Sequence, residues 1–266
     1  MKKASFGVTW IMASSILVLG SHTLLTNVSY ANAQASSNQT DNNIRASVLN
    51  AIKKSDFKDV RATVKNGVVD LEGTVKDYAT KQELDKKVHR IKNVEAVRNE
   101  VTVAGAGSIS DQQIQNNIVK NLQYDRVGYG NAFNAISVSV RGGVATMGGH
   151  ALGPVAKDSA LALAARTSGV QDVIDNIQVD PLSPMDNRTR LQVYRAVYGF
   201  PTLNKYAMNP AQPIRITVVS GHVTLNGVVD NQADKNAAGI RANGVPGVFS
   251  VTNDLQVANQ GNEKKK

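Results

Sequence analysis

The sequence predicts an α+β protein built from three tandem αββαβ modules, each a small three-stranded mixed sheet packed on two helices. The first observation is an internal repeat, because residues 67–103, 143–179 and 221–257 align end to end without a gap. The second is an alternation of apolar and polar residues on both sides of a glycine turn, as in a β-hairpin. The third is a helical spacing of apolar residues before each hairpin. A repeat of roughly 75 residues exceeds a solenoid unit and indicates separate small domains.

Each module opens with a helical pattern. In the first copy Ile44, Val48 and Ile52 recur at helical spacing after Asp41, which we predict to be the helix N-cap. Asp111 and Asp186 precede the same pattern in the second and third copies. The apolar stripe predicts a helix that lies on a sheet.

A hairpin follows, and glycines mark it in every copy. Asn66-Gly67 predicts a type I′ turn, since both central residues must accept positive φ. A second glycine comes six residues later, on the inward face of its strand, where close approach of the backbone or a helix is the expected cause and a ligand contact is the alternative. The structural turn and strand glycines are Gly67, Gly73, Gly143, Gly149, Gly221 and Gly227.

A second helix and a third strand complete each module. The strings VRNEVTV, VIDNIQV and VTNDLQV close the three copies. The predicted modules are 41–105, 110–181 and 185–258, followed by a basic disordered tail over 259–266.

The N-terminus has the form of a secretory signal peptide. Lys2 and Lys3 precede an interrupted apolar stretch, and small-residue sites follow between Ala31 and Ala35. We predict a signal peptide over 1–35 and a linker over 36–40; an uncleaved membrane anchor is the alternative. The absence of cysteine excludes a lipoprotein and disulfides, so the expected location is periplasmic or secreted.

The charge balance favours anionic partners. The chain carries a net charge of +9, of which Lys2 and Lys3 of the leader supply +2; the remaining +7 is spread over modules 1 and 3 and the tail rather than gathered in one dense stripe. Such a balance favours phospholipid headgroups and does not favour nucleic acid. No HExxH, GxSxG, GxGxxG or Walker pattern occurs, so we predict no catalytic residues, no cofactor and no metal.

Aromatic residues concentrate in two long connections between the first helix and the first strand. The connections, at 124–135 and 198–213, are longer than their counterpart in the first copy. Tyrosines beside basic side chains suit a boundary between apolar and aqueous phases, so membrane or partner contact is one interpretation. The other is that the rings pack the loop onto its own module or seal a contact between modules. The candidate contact residues are Tyr124, Arg126, Tyr129, Phe133, Tyr198, Phe200, Lys205 and Tyr206.

The patterns NGVVDLEGTV (66–75), SGHVTLNGVV (220–229) and VPGVFSVTNDLQV (245–257) resemble the BON domain of bacterial osmotically induced periplasmic proteins and nodulation proteins. The resemblance covers nearly all of the chain after the leader. It implies an αββαβ fold, an envelope location, no catalysis, and binding of phospholipid or other envelope interfaces in envelope maintenance or osmotic stress. Many family members carry two copies, whereas this chain carries three.

Two hypotheses of function follow. The first is a periplasmic protein that associates peripherally with anionic phospholipid, with avidity gained by linking three modules. The second is a chaperone-like protein that binds envelope or outer-membrane clients through exposed sheet edges. The sequence does not decide between them.

Overall fold

A computed structural model describes residues 23–53, 55–124, 131–181, 183–208 and 214–258. It contains three αββαβ modules in tandem, each with its own sheet, which confirms the predicted fold class. The predicted leader up to residue 22 and the predicted tail over 259–266 lie outside the described residues. Within those residues, no helix has both the length and the apolar character needed to cross a membrane.

Module 1 begins with a helix that is longer than predicted. Helix α1 starts at Thr23, so residues 36–40, assigned above to a linker, are helical. The elements of module 1 are α1 (Thr23–Ala51), a 3₁₀ turn (Ser55–Phe57), β1 (Val60–Lys65), β2 (Val68–Val75), α2 (Tyr78–His89), β3 (Ala96–Asn99) and β4 (Thr102–Val103).

Modules 2 and 3 repeat this order with longer connections after the first helix. Module 2 has α3 (Asp111–Tyr124), a 3₁₀ turn (Asn131–Phe133), β5 (Ala135–Arg141), β6 (Val144–Ala151), α4 (Pro154–Ala165) and β7 (Asp172–Val179). Module 3 has α5 (Pro184–Tyr198), α6 (Asn204–Met208), β8 (Arg215–Val219), β9 (His222–Val229), α7 (Gln232–Asn243) and β10 (Ser250–Val257).

The three sheets share one topology and one register. The middle strand is antiparallel to the strand before it and parallel to the strand that follows the second helix. Val68 opposes Ala96 in module 1, and Val144 opposes Asp172 in module 2 at the same spacing. In module 1 the last strand is interrupted between β3 and β4, but both pieces pair with β2.

An aspartate on the first helix holds the hairpin turn in every module. The Asp41 carboxylate accepts hydrogen bonds from the amides of Asn66 (2.7 Å) and Gly67 (2.8 Å). Asp111 does the same with Gly142 and Gly143, and Asp186 with Ser220 and Gly221. The prediction that Asp41 is the helix N-cap is wrong, because Asp41 lies inside α1. In module 3 the side chain of Ser183 caps α5. The aspartate that begins each helical pattern in the sequence therefore binds the hairpin turn of its own module.

The second glycine of each hairpin lies where two backbones meet. A Cβ atom at Gly73 would be 2.0 Å from the carbonyl oxygen of Asp59, and one at Gly149 would be 2.0 Å from that of Ala135. Both glycines also have positive φ. Backbone approach therefore explains these positions without a ligand.

The modules meet in two different ways. Phe133, from the connection in module 2, is 3% exposed and belongs to the core cluster of module 3, where its ring meets Tyr194 edge to face at 5.6 Å. Arg215 of module 3 donates to the carbonyl oxygen of Asn134 at 2.6 Å. Modules 1 and 2 are joined more lightly, with a hydrogen bond of 2.5 Å from the Tyr78 hydroxyl to Asp172.

Buried charges add to the junction between modules 2 and 3. Asp180, directly after β7, lies 3.5 Å from the guanidinium of Arg190 on α5, and both side chains are almost fully buried. His150 approaches the same carboxylate at 3.1 Å. Burial raises the pKa of Asp180, although the hydrogen bond from His150 and the charge of Arg190 act in the opposite direction.

Candidate functional site

The aromatic residues of the connection in module 3 pack mainly inward. Tyr198 is 5% exposed and donates its hydroxyl to the carbonyl oxygen of Ile214 at 2.6 Å, and burial raises the pKa of this phenol. Tyr206 is 3% exposed; its hydroxyl donates to Asp234 and accepts from the amide of Asp230, both at 2.7 Å. Burial of these two rings agrees with the interpretation that they pack the loop onto its own module.

Lys205 fastens the same connection to the start of α7. Its ammonium lies 2.5 Å from Asp230 and 2.8 Å from Asp234. The hydrogen bond to Asp230, followed by that to Asp234, raises the pKa of Lys205. Burial would raise the pKa of Asp234, but hydrogen bonds from Lys205 and Tyr206 lower it overall. This lysine is therefore already paired within its own module.

The remaining predicted contact residues lie in different surroundings. Phe133 fills the junction with module 3, as described above. Tyr124, at the end of α3, is 61% exposed, so membrane or partner contact at that position stays a prediction. Arg126 and Tyr129 lie outside the described residues. Phe200 is half-buried, with the guanidinium carbon of Arg241 at 5.2 Å from the ring centroid.

Arg241, which lies over the Phe200 ring, lines an open cleft between α5 and α7. The cleft has a volume of about 550 Å³. Arg195 and Gln192 of α5 and Arg241 and Ile240 of α7 supply its long side chains. The other lining residues are Ala196, Gly244, Val245 and Pro246. None of the lining residues is acidic, so the cleft is cationic.

The two arginines of the cleft have no carboxylate partner among the residues that the structure describes. Arg241 donates through Nε to the carbonyl oxygen of Ala196 at 3.3 Å and stacks on Phe200. Its terminal nitrogens are left for solvent or a ligand. A guanidinium that is oriented but not neutralised suits an anionic group.

One exposed apolar side chain lines the cleft, and a second lies farther along the chain at the hairpin turn. Ile240 is 72% exposed on α7, and Phe249, which follows the cleft residue Pro246 by three positions, is 77% exposed. The Phe249 ring lies 6.1 Å from the His222 ring and covers Gly221 at the hairpin turn. Large apolar side chains with this exposure suit contact with another apolar phase.

The cleft residues do not stand out in the sequence as a motif. The signal was available in the repeat, because Arg241 occupies the position of Lys87 in module 1 and Leu163 in module 2. Module 1 places Glu83 one turn before its lysine, whereas module 3 has Ala237 there. That difference becomes meaningful only when α5 is known to place Arg195 beside Arg241.

The comparison with protein families settles what the repeated module is. The BON domain model matches residues 40–105, 110–181 and 202–259, well over half of the chain. The chain belongs to the BON domain family. The third match begins after α5, although this helix forms the first element of BON module 3 in the structure. BON is a binding-type domain, and membership supports a protein of the bacterial envelope.

Other comparisons add little to this assignment. The comparison with curated proteins found no match. Two solved structures similar to this BON protein are both of CdsD, a structural protein of the type III secretion system of Chlamydia trachomatis. The C-terminal domain of CdsD is 17% identical, with a TM-score of 0.23, over 80% of this chain and 96% of that chain. The other is 20% identical, with a TM-score of 0.21, over 81% and 93%. No functional statement follows from TM-scores this low.

Proposed function

We propose that this BON protein acts in the periplasm without catalysis and binds anionic phospholipid surfaces through module 3, in envelope maintenance or osmotic stress. The observation that carries the proposal is the α5–α7 cleft, where exposed Ile240 lines the wall together with two arginines that have no carboxylate partner among the described residues. Exposed Phe249 follows the cleft residue Pro246 by three positions. The N-terminal sequence pattern supports export.

The energetics suit a peripheral and reversible association. Each arginine near an anionic surface contributes about 1 kcal/mol, an attraction that salt weakens. Burying the exposed side chain of Ile240 or Phe249 among acyl chains contributes about 2 kcal/mol each. These two terms predict binding that needs both negative headgroups and apolar contact.

The test is flotation of the purified protein with vesicles. We expect binding to phosphatidylglycerol vesicles, weaker binding at high salt, and none to phosphatidylcholine. The double variant Ile240→Ser, Phe249→Ser should lose most of the binding, whereas Val155→Ser, at an exposed apolar position of α4 (67% exposed), should not. Equal binding to neutral vesicles, or no binding to either kind, would contradict the proposal.

A second candidate function rests on a sheet edge. Strand β7 pairs only with β6 among the described residues, and its Ile174 and Val179 are 44% and 38% exposed. An edge of this kind can accept a strand from an unfolded client. We expect a chaperone-like protein to suppress aggregation of an unfolded outer-membrane protein without lipid, and an Ile174→Lys variant to lose that effect.

A further inference from the structure

We infer that the α5–α7 cleft is a discrete site for one anionic phospholipid headgroup per chain, with the phosphodiester between Arg195 and Arg241. This inference rests on the proposed function and makes it specific. A general attraction of a basic protein for a negative surface would need no particular pair of arginines. The cleft instead offers a defined pair on two facing helices.

The orientation of Arg241 is the first argument. Its Nε–H donates to the carbonyl oxygen of Ala196, and its guanidinium carbon lies over the Phe200 ring at 5.2 Å from the centroid. These contacts restrain the group at the wall of the cleft that it lines, and they do not use its terminal N–H donors. A planar fork held in one orientation matches two oxygens of a phosphate, and less side-chain entropy is lost on binding.

The chemistry of the lining residues selects the type of headgroup. No carboxylate lines the cleft, so the cationic end of choline or ethanolamine would have no partner and would face two guanidinium groups. The Gln192 amide can both donate to and accept from hydroxyl groups. The fitting class is therefore a phosphodiester with an uncharged polyol, as in phosphatidylglycerol.

The internal repeat supplies the second argument, because the arginine pair occurs once. At the equivalent positions module 1 has Asn50 and Lys87, and module 2 has Lys120 and Leu163. Lys87 is neutralised by Glu83 at 2.6 Å and lies over the Phe57 ring. Among the three equivalent pairs of positions, only Arg195 and Arg241 are thus both cations without a carboxylate partner among the described residues, which predicts a stoichiometry of one.

The experiment is calorimetric titration of the protein, purified from cells that express the whole chain, with short-chain phosphatidylglycerol below its micelle concentration. We expect one saturable site, with affinity at least about tenfold weaker in Arg241→Gln and in Arg195→Gln, since each removes a charge-assisted contact. Arg241→Lys should also bind more weakly, because it keeps the charge and loses the fork. The matched control Lys87→Gln in module 1 should bind as the unmodified protein does.

Three further arms separate the possible failures. Short-chain phosphatidylcholine should not bind, and glycerophosphoglycerol, the same phosphodiester without acyl chains, should bind more weakly than the lipid because it makes no apolar contact. Equal affinity for glycerophosphoglycerol would overturn the lipid as the ligand. Flotation with vesicles but no saturable site would overturn the discrete site and leave the proposed function standing. Equal losses in Arg241→Gln and Lys87→Gln would overturn both the discrete site and the assignment of lipid binding to module 3. No flotation would overturn the proposed function itself. The unfolding midpoint of each variant checks that it is folded.

Discussion

Modules 1 and 3 have the same backbone plan but different charges on the same helix face. Lys87 of module 1 forms an ion pair with Glu83 one turn earlier in α2. Arg241, at the equivalent position of α7, follows Ala237 instead and has no acidic partner among the described residues. The neighbouring position is Lys86 in module 1 and the exposed Ile240 in module 3. The difference teaches that the modules share their backbone fold and differ in the charge and polarity of their surface residues.

Modules 1 and 3 also differ in how strongly each is attached to module 2. The core of module 3 includes Phe133 from module 2, whereas module 1 reaches module 2 through Tyr78, whose half-buried ring packs against the core of module 2 and whose hydroxyl donates to Asp172. A buried ring is worth more than an exposed hydrogen bond. We therefore expect modules 2 and 3 to unfold as one unit and module 1 to act more independently.

The largest expected effect tests this difference in attachment. Phe133→Ala should lower the free energy of unfolding of module 3 by about 3 kcal/mol, because it leaves a cavity in a core of another module. Hydrogen exchange measured module by module should show faster exchange in α5 and β8 and no change in module 1. Phe57→Ala, in the core of module 1, is the control and should show the reverse. A change confined to module 2 in Phe133→Ala would contradict the shared core.

An intermediate effect is expected from making module 3 resemble module 1. Ala237→Glu places a carboxylate one turn before Arg241, at the spacing that forms an ion pair on a helix. We expect phosphatidylglycerol binding to weaken about fivefold, since one cation near the surface is cancelled. The measurement is flotation at low salt, with Ala237→Gln as a control of similar size and no charge. Equal weakening by glutamine and glutamate would show that charge is not the cause.

The smallest effect is expected at the junction between modules 1 and 2. Tyr78→Phe removes the exposed hydrogen bond to Asp172 and should lower the free energy of unfolding by about 0.5 kcal/mol in chemical denaturation. Exchange in module 3 should be unchanged. Tyr124→Phe, at an exposed tyrosine of α3, serves as the control. A loss in Tyr78→Phe as large as that in Phe133→Ala would remove the contrast between the two junctions.

The fold was predictable from the sequence because its determinants are local. Asn66-Gly67 has the positive φ angles that its turn type requires, and the strict repeat gave the element order of all three modules from the clearest copy. The role of Asp41 was not predictable in the same way. An aspartate before an apolar helical pattern is the usual signal of an N-cap, and only the folded module places the hairpin turn beside it.

The cleft could not be predicted for a related reason. Arg195 and Arg241 are 46 positions apart, and their proximity depends on how α5 packs on α7. The aromatic residues were easier to notice but harder to interpret, because composition does not tell whether a tyrosine faces solvent or the core. Tyr198 and Tyr206 proved to be buried, while Phe200 lies against one of the cleft arginines.

The measurement that tests the account most directly is vesicle flotation of the unmodified protein beside Arg195→Gln, Arg241→Gln. The account predicts that the unmodified protein floats with phosphatidylglycerol vesicles at low salt and that the folded double variant remains in the bottom fraction without vesicles. Flotation of the double variant to the same extent as the unmodified protein would contradict the central claim that module 3 binds anionic lipid through this cleft.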